Sequence, residues 1–510
     1  MLRASNAGSG KKRKRRGKGM AHSSASTRTG SLAPWVEADL PDPPLPRGLA
    51  WIGVCGPGVI VLGVSIGSGE FLLGPAAFVK HGLSLLWVTL VAVFFQTIFN
   101  TELMRYTLAT GEPVVTGFMR TRPGRTFWAW FYALLYFLQI GWPAWAATAA
   151  GAIFFLAFDR LATPPADAAT IHAIGVATFL ACVAVLALGR RIARTLEILN
   201  WVMVSCILGG FFVLAVVYVP VHTWLAALMG LVGFDAVHGG FDLLPRNVDM
   251  LLLGALVGYS GGGGVLNITL SNWARDKGYG MGARVGHIAG AVGGERSKLA
   301  DTGFIFTRDA QNDRRWRGWW RIVRVDQWGI FFVGALLGMV LPALLYVNFV
   351  ASGTDIKGLA ISAVLANTIG AAAAPWIGTL VAVLGAWILF KTQLDCVEGM
   401  TRSITDILWT GSRRVRGWRG GDVRAVYYAV LAVVVVWGMI ALRVAQPVVL
   451  LQIGANIAGV VFVIASLHLL YLNTRVLPAE LRPPIWRRVA LVCMALFYAF
   501  FTTLVARSLL

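Results

Sequence analysis

Long apolar segments separated by short polar connections run through almost the whole chain. Each holds roughly 20 to 30 residues, enough for one helix to cross the roughly 30 Å hydrocarbon core of a bilayer. The short alternating segments of a membrane β-barrel are absent from the sequence. The pattern therefore predicts an all-α membrane protein with eleven transmembrane helices, numbered helix 1 to helix 11 in chain order. They cover about residues 51–79, 83–107, 127–157, 168–189, 197–219, 249–274, 327–350, 374–400, 425–442, 446–472 and 486–506.

Two of these segments are interrupted near their midpoints by residues that weaken a helix. Helix 1 contains VSIGSGEFLLGP at 64–75, with three glycines, two serines, a proline and a carboxylate. Helix 6 contains LLLGALVGYSGGGGVLNITLSNW at 251–273, with four consecutive glycines. Each glycine costs a helix roughly 1 kcal/mol relative to alanine, and unwound backbone is tolerated at membrane depth only where it is buried in protein or lines a cavity. We therefore predict that helices 1 and 6 are both broken.

The two interruptions lie five helices apart, which indicates an inverted repeat. Corresponding breaks in two halves of opposite topology are typical of secondary transporters that bind their substrate near the membrane midplane. The predicted transmembrane domain, residues 49–510, then contains repeat one at about 51–219, repeat two at about 249–472 and an additional helix at 486–506. Glycine also permits close packing of membrane helices without a break, so packing is the alternative interpretation of each stretch.

The net charge of +21 follows the predicted topology. If the N-terminus is cytoplasmic, 38 of the 45 Lys and Arg residues fall on the cytoplasmic side of the predicted helices. This positive-inside pattern predicts a multi-pass plasma-membrane protein with a cytoplasmic N-terminus. We expect membrane lipid, especially anionic lipid, as the partner of the basic connections, and we expect no nucleic acid. Residues 1–48, which contain KKRKRRGK, are predicted to be a disordered basic cytoplasmic tail.

Three stretches resemble the Nramp family of divalent-metal transporters. Residues 56–71 read GPGVIVLGVSIGSGEF, similar to the family's GPG start and the metal motif that follows it. Residues 96–112 read QTIFNTELMRYTLATGE and residues 189–200 read GRRIARTLEILN, similar to parts of the family's helices 2 and 5. The resemblance implies a LeuT-type fold with a five-plus-five inverted repeat and broken helices 1 and 6. It also implies a secondary transporter or symporter that works by alternating access, and not an enzyme.

The metal-binding motifs of that family are rewritten in this chain. The family's Asp-Pro-Gly-Asn motif falls on residues 67–70, which read GSGE, and its Met-Pro-His motif falls on Gly262–Gly264. The site therefore offers one carboxylate, hydroxyls and backbone carbonyls, without the nitrogen and sulfur ligands that favour Mn²⁺ or Fe²⁺. Oxygen ligands suit a hard, hydrated ion such as Mg²⁺. We therefore predict a divalent cation of the Mg²⁺ type as the substrate, with Glu70 as its metal ligand and no bound cofactor.

The sequence leaves two other functions open. IGSGEF at 66–71 is similar to the IGSGIF-like break of amino-acid permeases of the same structural superfamily. In such a protein the free backbone N–H groups of the breaks would bind the carboxylate of an amino acid or another small organic solute. The basic tail and the long connection between helices 6 and 7 also fit a sensor or scaffold that does not transport.

The candidate site residues form two groups. Those predicted to bind substrate are Ser65, Gly67, Ser68, Gly69, Glu70, Tyr259, Gly261, Gly262, Gly263, Gly264 and Asn456. Those predicted to act in coupling or gating are Lys391, Asp395, Glu102 and Arg105. In LeuT-type folds helix 8 packs on helix 1, so Lys391 would fill an ion site there and argue against sodium dependence. The alternative is a lysine that extends to the inner interface beside Asp395, one helical turn away.

Overall fold

The apolar segments fold into a bundle of α-helices. The computed structural model describes residues 32–188, 192–288, 299–300, 302–356, 363–443 and 447–510. Ten helices in these ranges are long and apolar enough to cross a membrane. Two shorter helices, Met250–Tyr259 and Val265–Asp276, form the predicted helix 6. The predicted all-α membrane architecture is thus confirmed.

The helices of the bundle have the following bounds. Helix 1 has three parts, Pro57–Ser65, Ile66–Leu73 and Gly74–His81; helix 2 is Leu86–Thr110, and helix 3 has two parts, Arg125–Ile140 and Ala144–Phe158. Helix 4 is Ala168–Leu188, helix 5 is Ile192–Tyr218, and helix 7 has three parts, Ala310–Arg324, Val325–Phe332 and Val333–Phe349. Helix 8 is Pro375–Gly411, helix 9 is Val423–Ala441, helix 10 has two parts, Pro447–Tyr471 and Leu472–Val476, and helix 11 is Ile485–Ser508. Shorter helices in the connections are Ala50–Val54, Leu83–Leu85, Val114–Met119, Val221–Gly230, Gly282–Val285, Val364–Ala372, Arg413–Gly417, Trp418–Gly420 and Ala479–Leu481. Strands Val36–Glu37 and Phe304–Ile305 pair in parallel, and strands Phe234–Asp235 and Gly240–Phe241 pair antiparallel.

Helix 6 is broken as predicted. Its two halves are separated by Ser260–Gly264, where Gly261, Gly263 and Gly264 have φ values of 100°, 79° and 57°. Residues with a side chain rarely adopt such values, so the glycine run is required by the backbone conformation. Gln139 of helix 3 binds the break, because its amide donates to the Gly263 carbonyl (2.8 Å) and accepts from the Val265 N–H (3.0 Å).

Helix 1 is interrupted differently from the prediction. Residues Ile66–Leu73 form a π-helix that continues directly into the α-helix starting at Gly74, and the Gly74 N–H donates to the Gly69 carbonyl. Pro75 lacks an N–H group for the regular α-helical bond, and a π-helical turn absorbs such a change of register while keeping most backbone bonds. The prediction of unwound backbone in helix 1 is therefore corrected to a widened, hydrogen-bonded turn.

Helix 3 contains an interruption that the sequence analysis did not predict. It ends at Ile140 and resumes at Ala144, immediately after Pro143. The proline cannot donate a backbone hydrogen bond. The Gly141 carbonyl, within this interruption, accepts from the indole N–H of Trp437 in helix 9 (2.9 Å).

Helix 1 lies in the middle of the bundle. Every residue of its first part, Pro57–Ser65, is buried. This part packs against helices 5, 6, 7 and 8, and the π-helical part packs against helices 6, 7 and 8. The interruptions of helices 1 and 6 therefore lie side by side inside protein, where irregular backbone is tolerated.

Residues 32–46 form an extended segment, the N-terminal strap, across the face of the bundle that carries Arg120, Arg284 and Arg315. This arginine-rich face is the basic face of the protein. Its strand Val36–Glu37 pairs with Phe304–Ile305 in the connection between helices 6 and 7. The Leu40 side chain is fully buried, and the Leu40 N–H donates to Oδ1 of Asn312 (3.1 Å). The strap thus ties the chain before helix 1 to the start of helix 7.

The prediction of a disordered tail is therefore wrong for the described part of residues 1–48, whereas residues 1–31 lie outside the described residues. The strap carries carboxylates at Glu37, Asp39 and Asp42. Asp42 accepts from Nε of Arg315 at 2.5 Å. Charge opposite to that of the basic face, together with the buried Leu40, orders this segment.

A buried ion pair lies beneath the strap. Glu112 accepts from Nε of Arg120 (2.8 Å), the Tyr106 hydroxyl (2.6 Å) and the Gly303 N–H (2.9 Å), and Arg120 also donates to the Ala33 carbonyl (2.9 Å). Burial alone would raise the pKa of Glu112, but the charge and hydrogen bonds of Arg120 outweigh it and lower the pKa below its ordinary value. A carboxyl whose pKa is lowered on folding stabilises the fold above its ordinary pKa. This contribution is lost only when the pH falls through the lowered value.

Removing one hydrogen-bond acceptor should loosen the strap. In Asn312→Ala the Leu40 N–H loses its partner, a cost of about 1 kcal/mol, so hydrogen exchange of the strap should become roughly fivefold faster. Hydrogen–deuterium exchange of peptides covering residues 32–43 measures this rate. Gln311→Ala, an exposed neighbour on the same helix, is the matched control. Equal protection in the two variants would show that Asn312 does not hold the strap.

Candidate functional site

Glu70 lies at the contact between the interruptions of helices 1 and 6. Its side chain is fully buried. Oε1 accepts a short hydrogen bond from the Ser65 hydroxyl and a bond from the Gly261 N–H (3.2 Å), whereas Oε2 has no hydrogen-bond partner among the described residues. The structure therefore brings together Ser65, Glu70 and Gly261, three of the predicted site residues, and leaves one buried carboxylate oxygen available.

The glycines of helix 1 serve close packing. A Cβ atom at Gly69 would overlap the carbonyl oxygen of Tyr259, and one at Gly67 would overlap the hydroxyl of Thr392 in helix 8. Gly67 and Gly69 thus let helix 1 approach helices 6 and 8, which fits the packing interpretation of this stretch. The Ser68 side chain lies outside the described residues.

The glycines of helix 6 are also closely surrounded. A Cβ atom at Gly262 would lie 2.7 Å from Cγ1 of Val61, and one at Gly263 would lie 2.6 Å from the ring of Tyr259. A Cβ atom at Gly264 would overlap the side-chain oxygen of Gln139. The break is therefore packed against helices 1 and 3 and against the ring that precedes it.

A chain of side-chain amides lies behind the break. Gln96 of helix 2 donates to the Ser260 carbonyl (2.5 Å) and to the Tyr498 hydroxyl (2.9 Å). The amide of Asn267 donates to the oxygens of Gln96 (3.2 Å) and Asn100 (2.9 Å). Oδ1 of Asn267 is buried and has no hydrogen-bond partner within the described ranges.

Sequence reasoning missed Asn100 and Asn267. Both are side-chain amides within predicted membrane helices, and Asn267 follows the glycine run by three residues. That proximity was the available signal, because a buried polar side chain in a membrane helix normally faces the bundle interior.

Asn456 is placed away from the two interruptions. Its amide donates to the carbonyls of Leu251 (3.1 Å) and Gln452 (2.9 Å). Asn456 therefore joins helix 10 to the first half of helix 6, the helix–helix role that is common for a single polar group in a membrane helix.

Lys391 and Asp395 form a buried ion pair against helix 1. The side chains are 1% and 0% exposed, so Lys391 does not extend to the membrane interface. A Cβ atom at Gly63 would overlap both the ammonium of Lys391 and the side-chain oxygen of Asn200, and Asn200 donates to Asp395 at 3.5 Å. The pair therefore links helix 8 to helices 1 and 5.

Glu102 and Arg105, two residues predicted to act in coupling or gating, form an ion pair in the last turns of helix 2. Nε of Arg105 lies 2.8 Å from Oε2 of Glu102, and Nη1 of Arg487 in helix 11 lies 2.8 Å from Oε1. The amide of Asn473 donates to the Glu102 carbonyl (2.9 Å). This cluster joins helices 2, 10 and 11, which favours a structural role.

A second ionic cluster, also missed from the sequence, connects helix 6 to helix 8. Arg402 pairs with both Glu398 and Asp276. Arg275 pairs with Asp276 (2.6 Å) and with Asp406 (2.6 Å). All these side chains are at most 7% exposed. The cluster fastens the second half of helix 6 to helix 8 at the basic face.

The site contains one carboxylate rather than a preformed acidic cage. In the part of the chain that the structure describes, no group of three or more His, Cys, Asp or Glu residues is arranged to hold a metal ion. A cation at Glu70 would therefore keep much of its hydration or use amide, hydroxyl and carbonyl oxygens, as hard cations do.

Comparisons with known proteins establish the fold. No protein-family model matches the chain, and no curated protein matches it. A mutant of the manganese transporter from Eremococcus coleocola matches with a TM-score of 0.60 at 14% identity, covering 94% of this chain and 89% of that one. The same transporter bound to an aromatic bis-isothiourea compound gives 0.58 at 15% identity with the same coverage. MhsT in complex with L-phenylalanine gives 0.52 at 12% identity, covering 92% of this chain and 99% of MhsT. The predicted LeuT-type fold is thus confirmed, and so is the resemblance to Nramp-type transporters at the level of fold.

Proposed function

We propose that this protein is a secondary active transporter of a small cation that works by alternating access and is not an enzyme. One observation carries the proposal: Glu70 is a fully buried carboxylate at the contact of the two interrupted helices, and its Oε2 is without a hydrogen-bond partner in the described structure. A buried charge inside a membrane bundle is costly and normally serves a substrate or ion pathway. A cation is the partner that would offset this cost.

The geometry favours a cation over an organic anion. The Gly261 N–H, which would bind a substrate carboxylate in the alternative function, already donates to Glu70. A second carboxylate at this place would lie beside the Glu70 carboxyl group, and two ionised carboxylates in a buried site repel each other strongly. MhsT, which shares the fold, is seen with L-phenylalanine, so organic solutes remain the comparison class for the test.

Within the cations, we propose a hard divalent ion such as Mg²⁺. Two buried oxygens without a hydrogen-bond partner among the described residues flank the break: Oε2 of Glu70 next to Gly261, and Oδ1 of Asn267 next to Gly262. Together with the hydroxyl of Ser65, they would supply oxygen ligands, which Mg²⁺ prefers over nitrogen and sulfur.

The orientation is also a proposal. The strap and the ionic clusters of helices 2, 6 and 8 lie on the arginine-rich face, and the positive-inside pattern places that face in the cytoplasm. We therefore propose a plasma-membrane protein with its N-terminus on the cytoplasmic side.

Ligand-dependent thermal stability of the purified protein tests the proposal. A ligand at about a hundred times its Kd stabilises the folded state by about 2.7 kcal/mol, so Mg²⁺, Mn²⁺, amino acids and small carboxylates can be compared in one panel. We expect stabilisation by Mg²⁺, together with Mg²⁺ uptake by proteoliposomes. Stabilisation by an organic solute alone would overturn the cation proposal, and binding without uptake would favour the sensor or scaffold.

A further inference from the structure

We propose that a cavity between the end of helix 10 and the start of helix 11 binds the phosphate-bearing headgroup of an anionic phospholipid. The cavity has a volume of about 590 Å³. Arg475, Arg482 and Arg488 line it together with apolar side chains that include Val489 and Val492. This inference does not depend on the transported substrate.

Among the described residues, no carboxylate pairs with any of the three arginines. Nε of Arg482 donates to the Leu477 carbonyl (3.2 Å), and Nε of Arg488 donates to the Pro483 carbonyl (2.8 Å). Converging guanidinium groups repel each other unless an anion lies between them, and phosphate matches their paired N–H donors.

Neighbouring arginines differ in this respect. Arg487, one residue before Arg488, is buried and paired with Glu102. Arg402 is paired with Glu398 and Asp276. The fold therefore supplies carboxylates to arginines that hold helices together and leaves the arginines of the cavity for a ligand from outside the chain.

The apolar wall identifies the anion as a lipid. Ile485, Val489, Val492 and Leu496 follow one face of helix 11 and are 75%, 55%, 39% and 65% exposed. Such a row is suited to contact with lipid acyl chains, because exposed apolar side chains on a membrane helix face lipid. Trp486, 54% exposed at the same helix end, is typical of the headgroup level. A soluble phosphate has no acyl chains and would make no contact with this row of apolar side chains.

The cavity also lies on the face where anionic lipid is expected. Nη1 of Arg308, from the connection between helices 6 and 7, donates to the Glu480 carbonyl between helices 10 and 11 (2.9 Å). The cavity therefore lies at the same end of the bundle as the basic connections between the helices. Basic pockets between membrane helices on the cytoplasmic side are suited to anionic headgroups.

Lipid-dependent thermal stability in detergent tests this proposal. The protein is titrated with phosphatidylglycerol, with phosphatidylcholine and with glycerol phosphate, and the apparent affinity is taken from the rise in Tm. We compare the wild type with Arg475→Gln/Arg482→Gln/Arg488→Gln. The matched control, Arg317→Gln/Arg413→Gln/Arg414→Gln, removes three exposed arginines elsewhere on the basic face.

We expect phosphatidylglycerol to raise the Tm of the wild type and of the control. In the cavity variant its apparent affinity should fall about 100-fold, since each of the three arginines contributes about a fivefold factor. Replacement of the three arginines by lysine keeps the charge and should restore part of the affinity; this variant carries the test if the glutamine variant does not fold. An equal loss of phosphatidylglycerol affinity in the control variant would mean that only the net charge of the protein matters, and it would overturn the proposal. An equal response to phosphatidylcholine, or to glycerol phosphate, would overturn the assignment to an anionic lipid.

Discussion

Replacing Glu70 by glutamine should weaken cation binding on the order of 100-fold and abolish transport. Glutamine preserves the size of the side chain, and its oxygen can still accept from Ser65 and from the Gly261 N–H. It removes the negative charge, which is the part of the site that attracts a cation into a buried position. We expect the apparent Kd for Mg²⁺ to rise on the order of 100-fold, or about 2.8 kcal/mol.

Thermal stability and uptake measure this effect together. At a Mg²⁺ concentration that stabilises the wild type by about 2.7 kcal/mol, the variant should gain only about 0.4 kcal/mol, and uptake into proteoliposomes should fall to background. Glu480→Gln, the same chemical change at an exposed position, is the control. Ser65→Ala keeps the charge and should retain most of the binding. Full Mg²⁺ binding by Glu70→Gln would eliminate Glu70 as the ligand.

Substitution of the glycines is a weaker test than the sequence suggests. From the sequence, a severe effect of a bulky residue at Gly262 or Gly263 would indicate an organic-anion site. In the structure a Cβ atom at either position would lie within 3 Å of Val61 or Tyr259. Steric overlap alone would then impair the protein with any substrate, so the change of charge at Glu70 is the more informative experiment.

The bundle and the break in helix 6 could be predicted because they depend on local properties. Apolar length determines where helices cross a membrane, and four consecutive glycines permit the positive φ values that the break needs. The π-helix of helix 1 could not be predicted, because glycine, serine and proline are compatible with either an unwound or a widened turn. Only packing against helices 6, 7 and 8 decides between them.

The strap and the amide chain depend on contacts between distant parts of the sequence. Leu40 is ordered by Asn312, which lies 272 residues away, and a tail rich in proline and charge gives no local sign of this. Glu70 was predicted because it is the one carboxylate in its segment. Asn456 was predicted to bind substrate, whereas its side-chain amide donates to the Leu251 carbonyl. A shift of a few residues along a helix is enough to move a side chain out of a site.

Replacing Lys391 by methionine should destabilise the protein more than any surface substitution. Methionine fills a similar volume, but it leaves the buried carboxylate of Asp395 without its cation. Removing one partner of a buried ion pair costs about 3–5 kcal/mol, whereas replacing both partners can be nearly neutral. We therefore expect a large loss of thermal stability in Lys391→Met and substantial recovery in Lys391→Met/Asp395→Asn.

The double-mutant cycle separates an ion pair from mere packing. Asp395→Asn alone leaves the ammonium of Lys391 buried against Gly63 and Asn200, so this variant should also be destabilised, and the two single losses should exceed the loss in the double variant. Lys80→Met, which breaks partly exposed ion pairs with Asp249 and Asp355, is the control and should cost no more than about 1 kcal/mol. Additive losses at 391 and 395 would mean that the two charges do not stabilise each other. Non-additive losses would show that the two charges stabilise each other. If uptake in the double variant then recovers only partly, the ammonium of Lys391 is needed in transport as well as in folding. The reason is that neutral side chains can replace the packing of the pair but not its charge.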